Sequence, residues 1–199
     1  MTGNKINEID KKEQFTKRAS NKLPIIMAIV AIAAVMIFGA MLLFNDSNEQ
    51  AIVSPFGEPT AKTRSYMGKV VSMTIVEPVI STTLAGIPLE QLEKNDIVYF
   101  EVENSDGLMV PLMAYITPTG RIFTGSSMCE PCQGRYFSLA GETLVCDTCR
   151  TTYTIESHEF ISGSVTCGAY PPVYMEPVID NKMVSIPLED IFQWKTRVY

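Results

Sequence analysis

The chain has 199 residues, 46% of them hydrophobic, and a formal net charge of −6. The charge is uneven: residues 1–22 carry net +3 and the remainder net −9. A chain this acidic beyond its first segment has no basic face for neutralising phosphate, which excludes nucleic acid as a partner.

Residues 1–22 hold six basic side chains, Lys5, Lys11, Lys12, Lys17, Arg18 and Lys22. Leu23 to Phe44 then reads LPIIMAIVAIAAVMIFGAMLLF, without a charged side chain. As a helix this segment would span roughly 33 Å, against a hydrocarbon core of about 30 Å. A transmembrane helix at 23–44 is therefore expected, with the lipid bilayer as a partner. No Lys or Arg follows the span until Lys62. The asymmetry predicts a cytoplasmic basic tail, 1–22, and an extracytoplasmic C-terminal domain on a single-pass cell-membrane protein. A cleavable signal would have a shorter apolar region and an A-x-A-like site. The text FNDSNEQ after the span has no such site, so an uncleaved anchor is expected. TKRASNK, before the span, echoes a twin-arginine export signal but has Lys17-Arg18 in place of two arginines.

Residues 45–65 are polar and contain prolines, which reads as a stalk. From residue 66 to 199 the fold class is mainly β. MGKVVSMTIV, DIVYFEV, VPLMAYIT and RIFTG are rich in β-branched and aromatic residues. PLEQLEK and PLEDIFQW are the exceptions, and read as short helical turns opened by proline. They close an internal repeat. EPVISTTLAGIPLEQL (77–92) and EPVIDNKMVSIPLEDI (176–191) align without a gap and share eight of sixteen positions, which chance explains poorly. Two readings stand: similar strand–turn–strand units in one β domain, or pseudo-symmetric halves bracketing the segment between them.

That segment holds all five cysteines, in the pattern C-x2-C-x13-C-x2-C-x17-C. Cys129 and Cys132 form one CxxC pair, Cys146 and Cys149 the other. A tight CxxC turn brings two sulfurs to one side. Two such bites make a tetrahedral four-sulfur site for zinc or iron. Between the pairs, RYFSL, AGE and TLV read as strand, turn and strand, a hairpin that returns Cys146 beside Cys132. The ectodomain is thus predicted to contain a knuckle–hairpin–knuckle metal ribbon over about residues 126–168. The metal ligands expected are Cys129, Cys132, Cys146 and Cys149, with Cys167 and His158 as further candidates. Disulfides or a redox-active dithiol are the alternative in an oxidising compartment, although an odd cysteine count fits paired disulfides poorly.

Two resemblances attach to this text. GETLVCDTCRTTYTIESHEFISG resembles the rhythm of Rieske domains, but cysteines stand at 132 and 149 where Rieske proteins place histidines. The ribbon is likewise rubredoxin-like. The run from roughly Val98 to Leu188 is similar to the FtrD-like membrane iron–sulfur protein family, on ITPTGRIFTG, on MCEPCQGRYFSLAGETLVCDTC, and on a single cysteine followed by prolines. The family tends to have Gly-Gly-Cys-Asn-Pro at the last motif, whereas Cys167 sits in VTCGAYPP. The resemblance implies an iron–sulfur cluster or iron as cofactor, with zinc as the alternative. It also implies electron transfer or an accessory role in iron transport, beside a permease or another membrane transport or redox protein. A structural zinc ribbon that binds a permease, and a thiol–disulfide redox protein, are the competing readings. No catalytic set is visible in the sequence.

Overall fold

IVYFEVE and MVPLMAYI are apolar at nearly every position. In the computed structural model, which describes residues 54–197 together with Met27, Ala31 and Ile32, they form the middle of the domain. Strands β5 (Ile97–Glu103), β6 (Met109–Ile116) and β7 (Ile122–Ser126) make an antiparallel meander, with β2 (Thr74–Ile75) parallel to β5. Both faces of this sheet are covered, which is why these strands lack the polar alternation of a sheet with one face in water. Val98, Phe100, Leu112, Ala114 and Ile116 face one core; Ile97, Met113, Tyr115 and Phe123 face the other.

The repeat builds the layer on the first face. Its first copy gives β3 (Val79–Ile80), β4 (Leu84–Pro88) and α1 (Leu89–Asn95). The second gives β12 (Val178–Asp180), β13 (Met183–Pro187) and α3 (Leu188–Gln193). The copies pair with each other, in the sheet order β12-β13-β4-β3. Gly86 pairs with Ser185, its own equivalent in the other copy, and Leu84 pairs with Pro187 as Pro88 does with Met183. The register places a local two-fold axis at Gly86/Ser185. A Cβ on Gly86 would lie 2.6 Å from the Val184 carbonyl and collide with the Ser185 hydroxyl. Only one of the two dyad residues can therefore carry a side chain.

The second face carries a five-stranded sheet, β1 (Val70–Ser72), β8 (Phe137–Ala140), β9 (Thr143–Cys146), β10 (Thr152–Thr154) and β11 (Phe160–Ser162), in that order. Its Phe137, Leu139, Leu144 and Tyr153 close the second core together with the cysteines. The helical turn α2 (Val165–Gly168) follows β11.

The predicted stalk at 45–65 is described from Ser54 onward, and that part packs on the domain. Phe56 is buried, and the Thr60 and Ala61 N–H groups donate to the Gly120 carbonyl. Polar composition concealed one aromatic anchor in that stretch. The expected tail and transmembrane helix lie outside the described residues, apart from Met27, Ala31 and Ile32. Among the described residues no helix is long and apolar enough to cross a membrane.

Candidate metal centre

Each CxxC pair makes the same backbone turn. In the first, the Cys129 N–H donates to the Gly134 carbonyl at 2.8 Å; in the second, Cys146 N–H donates to Thr151 carbonyl at 2.9 Å. A left-handed residue follows each second cysteine, Gln133 with φ 57° and Arg150 with φ 62°. That conformation turns the chain back so that both sulfurs of a pair face one point. The β8–β9 hairpin, turning at Gly141 with φ +62°, then sets one knuckle against the other.

The four Sγ atoms lie within 4.8 Å of one another. Cys129 and Cys149 are 3.7 Å apart, and Cys132 and Cys146 are 3.8 Å apart. Metal–sulfur bonds of about 2.3 Å give a tetrahedral edge of about 3.8 Å. Two of the six sulfur–sulfur distances match that edge and none exceeds 4.8 Å, so the donor set of four soft sulfurs suits one zinc or iron ion. A multinuclear cluster interposes bridging sulfides and spreads its thiolates further. Cys129 and Cys146 are buried, whereas Cys132 and Cys149 are half-buried, so the second cysteine of each pair forms the outer edge.

The thiols are not equivalent electrostatically. Burial pushes Cys146 up to about 12 and Cys129 higher still, the latter also by contact with Cys132. Burial opposes the Cys149 thiolate as well, but the Thr151 hydroxyl, 3.1 Å from its sulfur, and the Thr151 N–H bring it down to about 6. A cation at the centre would favour the thiolates of Cys129 and Cys146 against this burial.

The other two candidates stand elsewhere. His158 is not in the cluster. Its Nε2 lies 2.7 Å from the Tyr115 hydroxyl and its ring packs against Phe56 and Phe123. Burial lowers its pKa to about 4, against an opposing hydrogen bond to Pro172. A single histidine between aromatic strands is here a core residue. Cys167 is outside the four-sulfur group but close to it. It is buried in the same core, it bears on Cys129, and its carbonyl accepts from the Tyr153 hydroxyl at 2.7 Å.

Three neighbours carry no signal in the sequence. Gly134 leaves space for Thr148: a Cβ there would meet Thr148 Cβ at 2.8 Å and Cys146 Sγ at 3.0 Å. Thr151, which is buried, occupies the equivalent place in the second knuckle and uses its hydroxyl on Cys149. Glu130, inside the first CxxC, is buried and paired with Arg197.

Residues 92–198 match the family described as "Membrane iron-sulfur containing protein FtrD-like", a stretch that includes all five cysteines. No curated protein and no solved structure matches the chain.

Proposed function

The chain belongs to the FtrD-like family of membrane iron-sulfur containing proteins, and from that premise we propose that it is a membrane-anchored, extracytoplasmic one-electron carrier. Its redox group is a single iron ion held by Cys129, Cys132, Cys146 and Cys149. The observation that carries this reading is the gathering of the four sulfurs within 4.8 Å of one another, with two of the distances at 3.7 and 3.8 Å. Iron in a four-thiolate site changes charge by one without changing its ligands, and a closed site of this kind has no open position for a substrate. Reaction at the ion is then limited to electron exchange, through the half-buried sulfurs of Cys132 and Cys149. The acidic ectodomain suits a basic partner, and the partner proposed is a permease or redox protein of an iron transport system.

Zinc satisfies the same edge lengths and gives the second reading, a ribbon that stiffens the domain. Full-length protein purified in detergent separates the two. One iron per chain, with visible absorbance bleached by a one-electron reductant, supports the carrier. One zinc in colourless protein supports the stiffening ribbon. Metal-free protein whose thiols cycle with a disulfide reagent overturns both.

A further inference from the structure

Glu130 and Asp147 are equivalent residues, each directly after the first cysteine of its knuckle. Asp147 is exposed, accepts from the Ser138 hydroxyl at 2.8 Å and faces Arg150 across 3.9 Å. Glu130 has a side chain with no exposed surface. Both its oxygens are taken by Arg197: the backbone N–H donates to Oε2, and Nε donates to Oε1 at 2.7 Å. The same guanidinium donates to the Pro171 carbonyl at 2.6 Å and stands 5.5 Å from the Tyr170 ring centre. Tyr170 and Pro171 follow Cys167. One cation, 67 residues from Glu130 in sequence, thus closes over the first knuckle and the Cys167 segment together.

A buried carboxylate beside a thiolate ligand is costly unless a cation pairs with it. We infer that Arg197 is a positioning residue of the metal centre: it fixes the first knuckle through Glu130 and cancels the carboxylate charge next to the thiolates. The inference rests on the reading that the four cysteines hold a metal ion. The ion never touches Arg197, so its effect passes through Glu130.

The test uses full-length protein in detergent, loaded with zinc or with iron, as wild type, R197M, R197K, E130Q and R197M/E130Q. Zinc release to a chromophoric chelator is the first readout. R197M should release zinc about 10- to 100-fold faster, the range for lost support around a metal site. The double variant, with no unpaired charge, should return to within about threefold of wild type, and R197K should fall between. On iron protein, R197M removes a positive charge and should favour the oxidised ion; E130Q removes a negative charge and should favour the reduced one. Each change should move the oxidised-to-reduced ratio about tenfold, or about 59 mV for one electron, in opposite directions. Wild-type release by R197M would overturn the inference. So would a double variant as leaky as R197M, because the segment would then act by packing alone. Wild-type protein that takes up neither metal would overturn the site reading itself.

Discussion

Gly134→Ala places one methyl group where the two knuckles meet. The glycine has no left-handed backbone angle that alanine would resist, so the cost is steric. The new Cβ would stand 2.7 Å from Thr148 Oγ1, 2.8 Å from Thr148 Cβ and 3.0 Å from Cys146 Sγ. Ordinary carbon contacts lie at about 3.5–4.0 Å, so the second knuckle must retreat by several tenths of an ångström. Overpacking of this kind costs roughly 1–3 kcal/mol. The atom displaced is a ligand sulfur, and metal binding is coupled to closure of the knuckles. At about 1.4 kcal/mol per tenfold, the metal affinity should fall about 5- to 150-fold. The assay is competition with a chelator of known affinity, with zinc as the ion. Thr148→Gly removes two of the three close atoms and should recover most of the loss in the double variant, less up to about 1 kcal/mol for a second flexible residue. Unchanged affinity in Gly134→Ala, or no recovery with Thr148→Gly, would refute the knuckle contact.

Phe56→Ala should lower unfolding free energy by about 3–5 kcal/mol, as for other buried aromatics, because Phe56 packs on Phe123, His158 and Tyr174; denaturant midpoints check it, and a null effect would restore the stalk. Gly86→Ser should cost about 1–3 kcal/mol at the dyad, and adding Ser185→Gly should recover only part of it, since it removes the Ser185 hydroxyl but leaves the Val184 carbonyl 2.6 Å from the new Cβ. His158 has a folded-state pKa below its unfolded value of about 6.5, so protons favour unfolding. The neutral ring's contribution is complete above about pH 6.5 and is lost as pH falls towards 4, by roughly 3 kcal/mol in all. His158→Gln should shrink the fall in stability over that window; equal slopes in wild type and variant would contradict a buried neutral imidazole.

Local periodicity made much of the fold legible. The hairpin between the CxxC pairs follows from RYFSL-AGE-TLV, and it delivers Cys146 to Cys132. Spacing alone named the four sulfurs that meet, because a CxxC turn needs only its own backbone. The repeat was also legible as text. Its pairing was not: β4 meets β13 across most of the domain's sequence, and a register that matches Gly86 with Ser185 is fixed by the layer beneath it. The polar stretch after residue 45 packs on the domain from Ser54 on although its composition is that of a stalk, because one phenylalanine among polar residues does not alter composition.

The site residues that escaped the sequence share one cause. The knuckles repeat a backbone, and a repeat is visible; what distinguishes its two copies is supplied from elsewhere in the chain. Gly134 and Thr151 occupy the same place, but one makes room for Thr148 and the other turns a hydroxyl to Cys149. Glu130 and Asp147 likewise share a place, each directly after the first cysteine of its pair. The segment after α3 carries Arg197 over the first knuckle, which leaves Glu130 with no exposed surface and Asp147 in solvent. The buried acid therefore belongs to the knuckle that the segment after the second repeat copy reaches, and that ion pair is one link between the candidate metal centre and the pseudo-symmetric layer.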